Sequence, residues 1–172
     1  DRYLEICKEH NIFPIIELKW ASGINNNDMS RFHGLYQLIE KHGLIEEARI
    51  LTSMKKSLEH VRTNYPALKC QFLCYEVSEA NYEWCKTWGI NPSVQTGGLS
   101  KYMARKCHDA GMEVACWTVN SLASYQQHGE LGCTTMTCDY LMASEMPELE
   151  EVDWEALAPT QPVETLYITE LF

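Results

Sequence analysis

Across 172 residues, 24 acidic side chains stand against 14 basic ones, a formal charge of −10. That balance argues against a protein built to hold a nucleic-acid backbone or to dock on an anionic membrane. No apolar run approaches the ~20 residues of a membrane span, and the length suits one domain with a sizeable core.

Residues 1–10 read as an amphipathic helix with Tyr3, Leu4 and Cys7 on its buried side. Pro14 opens a strand over Ile12–Lys19, where its missing N–H is tolerated. Ala21–Asn27 is rich in Gly and Asn and polar, a loop suited to face a site. Asp28 or Ser30 can cap a helix that runs to Gly43. A strand over Ala48–Met54 and a helix over Lys55–Tyr65 follow, then a strand over Lys69–Glu76. Ser78 caps a helix through Trp84 and Trp88, whose i,i+4 spacing suggests packing on one face. Ile90–Gln95, Met112–Val119 and Thr134–Tyr140 read as strands, separated by helices over Leu99–Ala110 and from Ser121 to His128. Residues 146–172 read as an acidic extension. Glu148, Glu150, Glu151, Asp153 and Glu155 suit a solvated helix face or linker, and Ala158–Pro162 reads as a linker.

The unit strand–loop–helix–turn recurs six times at about 20 to 25 residues. That order predicts an α/β fold with a parallel sheet. No Gly-rich dinucleotide turn or switch point is visible, so a (β/α)8 TIM-type barrel fits better than an open doubly wound sheet. About six of eight units are present, so residues 1–145 read as a partial barrel. The chain opens on Asp1 directly into a helical pattern, and the two remaining units are expected upstream of it.

Within this frame one stretch is out of character. Ile15-Ile16-Glu17-Leu18-Lys19 sets two charges into a short strand. Alternation puts Ile15, Glu17 and Lys19 on one face and Ile16 and Leu18 on the other. A strand covered on both faces cannot carry such charge cheaply. Glu17 and Lys19 therefore belong at a strand's carboxyl end, where α/β proteins place their sites, either as a site pair or as a structural ion pair at the mouth. The eight cysteines form no CxxC pair, and no cysteine pair comes with a closely spaced His, so they read as reduced, buried thiols, which favours a reducing compartment such as the cytoplasm.

The stretch Ile15–Lys19 resembles the IELK motif of the glycerophosphodiester phosphodiesterase family. Lys106–Asn120, which closes on Trp117-Thr118-Val119-Asn120, is similar to that family's segment ending in WTVN, and Gly132–Tyr140 to its closing segment. The resemblance implies a barrel that hydrolyses glycerophosphodiesters with a divalent cation, Mg²⁺ or Ca²⁺. It implies Glu17 as a metal ligand, Lys19 as a phosphate contact and Trp117 as a wall near the glycerol. A hard cation takes carboxylate oxygens, and positive charge offsets charge developing on phosphoryl oxygens.

The family's His-Arg, Glu-x-Asp and His-Asp motifs are absent from the predicted strand ends (His108-Asp109 lies in a helix and Glu151-Val152-Asp153 in the acidic extension), so no catalytic residue is assigned here and the acid/base histidines are expected upstream of Asp1. The six histidines present lie in predicted helices or turns and read as nearly all surface. By itself the chain is expected to be inactive. Tyr75 and Glu76 end a strand on opposite faces, so at most one faces the site. Asn120 suits a helix cap better than a ligand contact, and Asp139 a bracing role. The expected partner is a small glycerophosphodiester or a glycerol-phosphate polymer, not nucleic acid. A second reading is a catalytically inactive barrel serving as a binding module of a larger surface or phage-tail protein. Retention of Glu17 and Lys19 favours the enzyme.

Overall fold

The computed structural model describes residues 1–19 and 28–157. The Ala21–Asn27 loop, the Ala158–Pro162 linker and everything after it lie outside the described residues. Six strands and six helices alternate: α1 (Arg2–Glu9), β1 (Ile15–Glu17), α2 (Phe32–Lys41), β2 (Arg49–Thr52), α3 (Lys55–Asn64), β3 (Lys69–Cys74), α4 (Glu79–Trp88), β4 (Asn91–Gln95), α5 (Lys101–Asp109), β5 (Val114–Trp117), α6 (Leu122–Glu130) and β6 (Cys133–Thr137). The strands run β1-β2-β3-β4-β5-β6, each pair parallel. Consecutive neighbours joined by helices give the arc of a TIM-type barrel, as the repeat unit predicts.

One ion pair shows the curvature of the sheet. Arg49 on β2 and Glu113, just ahead of β5, approach to 3.6 Å across the concave side. In a flat sheet those two strands would lie about 14 Å apart, and the bridge would need both side chains fully extended toward each other along the sheet. Phe13 sits under the Arg49 guanidinium at 5.7 Å from the ring centre.

Alternation sorts each strand into two faces. The outer face carries Ile50, Cys70, Phe72, Cys74, Val94, Val114, Cys116 and Cys133, which join the core formed with the helices. The inner face carries Arg49, Leu51, Gln71, Leu73, Ser93, Ala115 and Trp117, aligned through the registers Leu51↔Gln71, Leu73↔Ser93 and Ser93↔Ala115. Three helices start on serine caps, with Ser78, Ser100 and Ser121 accepting from the N–H groups of Asn81, Met103 and Ser124. Trp84 and Trp88 pack on the core as their spacing suggests, and Trp84 meets Phe72 edge-on at 5.1 Å.

Several boundaries differ from the sequence pattern. β1 is three residues long, and Ile12, Phe13 and Tyr3 stay exposed because β1 has no second neighbour among the described residues. Neither Asp28 nor Ser30 caps α2. Asp28 instead accepts the Ser30 N–H at 2.9 Å, a local turn one residue ahead of the Arg31 cap. The histidines are not uniformly on the surface: His128 is buried, its Nδ1 donating to the Ser124 carbonyl at 2.7 Å, and His42 is held by Asp1 at 2.7 Å.

The acidic stretch is not a helix. Its five carboxylates are exposed, but Val152 and Trp154 between them are half-buried. Leu149 fills a notch over Gly129, and Trp154 stacks flat on His108, centroids 3.7 Å apart and planes 7° apart. The same indole covers Gly132, where an added Cβ would come within 2.2 Å of it. Arg105 donates to the Trp154 carbonyl, and Leu157 is buried. Residues 146–157 are thus a strap laid across α5 and α6.

Candidate active site

The carboxyl ends of the strands gather the residues singled out by sequence. Glu17 closes β1 and Lys19 follows two residues later. Ile16 and Leu18 pack on the core, so the opposite parity puts Glu17 and Lys19 on the concave face. Their charged atoms lie 3.3 Å apart, with the side chains 36% and 76% exposed respectively. An ion pair this exposed is worth only about 0–1 kcal/mol, too little to explain its presence through stability. It leaves both groups free to exchange partners with a ligand.

Trp117 ends β5 on the same concave face, four strands away. Its indole N–H donates to the Ser93 carbonyl at 3.1 Å, which fixes the ring plane, and Tyr75 leans against it with centroids 6.0 Å apart. The Trp117–Thr118 peptide is cis. Gln95 and Thr137 stand level with Trp117 on the neighbouring strands. Asn120 does not cap α6; Ser121 does. Asn120 instead accepts the Asp139 N–H at 2.9 Å and donates to the Asp139 carboxylate at 2.8 Å, clasping the loops after β5 and β6. Asp139 therefore has the bracing role. Ser53 is exposed just past β2.

A divalent cation needs six or more oxygen ligands, with several supplied by protein. Glu17 fits as one hard oxygen donor, but the described residues do not bring further carboxylates beside it. Asp1, Glu5 and His42 are the one ligand-like trio among the described residues, and they lie on α1 and the end of α2. There Lys41 and Arg2 already neutralise the two carboxylates. Glu17 is thus a candidate for one corner of a metal site, not for the whole of it.

Sequence reading did not find the Tyr75–Trp117 pair, the Arg49–Glu113 bridge or the Asn120–Asp139 clasp. Each joins residues at least 19 positions apart. Parity along β3 was the one available signal for Tyr75.

A parallel βα arc of six strands defines the class, a partial TIM-type barrel, and its charged and aromatic side chains collect at the carboxyl rim, where barrels of this type carry their sites. The chain belongs to the glycerophosphoryl diester phosphodiesterase family, whose sequence profile matches residues 6–143. Its fold is similar to that of a glycerophosphodiester phosphodiesterase from Parabacteroides distasonis, at 20% identity and TM-score 0.68, over 80% of this chain and 58% of that one. It is also similar to a phosphodiesterase from Oleispira antarctica solved with the product sn-glycerol-3-phosphate, at 13% identity and TM-score 0.70, over 80% of this chain and 55% of that one. The chain therefore spans a little over half the length of these structures. A comparison with curated proteins finds no match. No helix among the described residues is long and apolar enough to cross a membrane.

Proposed function

We propose that this chain is part of an enzyme that hydrolyses glycerophosphodiesters to a glycerol phosphate and an alcohol with the help of Mg²⁺ or Ca²⁺. The observation that carries it is the Glu17–Lys19 pair, set 3.3 Å apart at the carboxyl end of β1 on the concave face of a chain of this family. In this reading Glu17 gives one oxygen to the cation, Lys19 holds a phosphate oxygen, and Trp117 walls the glycerol side. The cation, when bound, neutralises charge on the phosphoryl group. No strand among the described residues ends on a histidine, so the reading takes the acid and base histidines from outside that set, as it does the remaining strands of an eight-stranded barrel. The eight free thiols suit a reducing compartment.

The test is glycerol-phosphate release from glycerophosphocholine by the full-length polypeptide, with Mg²⁺ or Ca²⁺ and its wild-type or Glu17→Gln sequence. Glu17→Gln keeps the shape but loses the charge, and turnover is expected to fall by about a hundred-fold or more. Unchanged turnover would remove Glu17 from the site. A wild-type protein that binds glycerol phosphate and never turns over would favour the binding-module reading instead.

A further inference from the structure

Tyr75 follows β3 directly and continues its inner-face parity, level with Gln95, Trp117 and Thr137 at the barrel mouth. Its residue is 76% exposed, the highest value among the large apolar side chains of the described residues. Its hydroxyl makes no hydrogen bond within that set. Its backbone, by contrast, is pinned. The Gly98 carbonyl accepts the Val77 N–H at 2.9 Å, and a Cβ added at Gly98 would lie 1.9 Å from the Tyr75 carbonyl oxygen. Only glycine lets the turn after β4 press so closely on this segment.

A fixed backbone thus holds an aromatic ring out in water, tilted 59° to a second ring. That second ring is itself anchored through its N–H to Ser93. Two rings at this angle form a corner with apolar walls. Gln95 and Thr137 supply polar groups at the same level. Aromatic faces attract C–H edges and exclude water, whereas a bare phosphate gains nothing from them.

We propose that Tyr75 is a positioning residue which, with Trp117, receives the carbon edge of a glyceryl group whose phosphate lies toward Glu17 and Lys19. This rests on the phosphodiesterase reading above and deepens it, because it assigns recognition of the glycerol to a corner separate from the charged pair. The corner distinguishes glycerol phosphate from phosphate alone, and it works through ring surface, without the tyrosine hydroxyl.

Calorimetric titration of the full-length polypeptide with sn-glycerol 3-phosphate and, separately, inorganic phosphate tests the idea in the wild type, Tyr75→Phe and Tyr75→Ala, with a thermal melt of each. Tyr75→Ala is expected to weaken glycerol phosphate about five-fold, the usual scale of one aromatic contact. Phosphate affinity and the melting temperature stay as in the wild type, since the ring is exposed, and Tyr75→Phe binds both ligands as the wild type does. The proposal is overturned if Tyr75→Ala leaves glycerol phosphate binding unchanged or weakens both ligands alike. It is also overturned if Tyr75→Phe behaves like Tyr75→Ala. A wild type that binds neither ligand overturns the phosphodiesterase reading itself, and the corner with it.

Discussion

Burial decides the chemistry of single residues here. Seven of the eight thiols are buried and Cys138 is half-buried. Desolvation disfavours the thiolate, pushing Cys70, Cys74 and Cys85 up to about 12 and Cys107 up to about 11 from an ordinary 9.0. Lys55 near Cys74 and Arg62 near Cys70 counter only part of this. A group whose folded pKa is raised binds its proton more tightly when folded. Its stabilising contribution is therefore complete below the unfolded pKa and is lost as pH climbs through 9 toward the folded value near 12. The urea midpoint is expected to drop between about pH 8 and pH 11, and a flat midpoint would contradict the burial of these thiols. In native protein at neutral pH, a thiol reagent should find Cys138 first.

At the scale of elements, the strap over residues 146–157 acts as a clasp on α5 and α6. Gly129 and Gly132 leave the hollows that Leu149 and Trp154 fill, and Gly132 also takes a positive φ of 78°. Trp154→Ala removes the stack on His108 and the cover over Gly132. It is expected to cost about 2 kcal/mol, the low side for a large aromatic because Trp154 is only half-buried. Equilibrium urea unfolding measures this directly; a loss below experimental error would mean that the strap rests on the helices without holding them. The carboxylates of Glu148, Glu150, Glu151 and Glu155 face water, so removing them one at a time should change little, whereas Asp153 accepts the N–H groups of Glu155 and Ala156 and holds the turn.

For the molecule as a whole, the parallel arc ends at β1 on one side and β6 on the other, each with a single neighbour among the described residues. Tyr3, Ile6, Ile12 and Phe13 are exposed around β1. Unpaired strand edges flanked by apolar side chains pair readily with other chains. The isolated 172-residue chain is expected to self-associate as its concentration rises. Sedimentation velocity across a concentration series would show this, and a monomer throughout would mean that the edges are shielded.

Much of this was legible in the chain itself. Strand–helix alternation gave the parallel sheet because each element buries one face, and burial writes its period into the sequence. Serine caps at Ser78 and Ser121 marked two helix starts because the unpaired N–H groups of a first turn need an acceptor. Charge in a strand marked Glu17 and Lys19 because charge is costly everywhere but a mouth. Tertiary structure alone decided what meets across distance. The Arg49–Glu113 bridge depends on curvature, the Tyr75–Trp117 corner on register across strands, and the strap on two hollows left by Gly129 and Gly132. Periodicity carries the direction in which a side chain points, but the identity of its neighbour depends on how the sheet bends, and no local pattern encodes that.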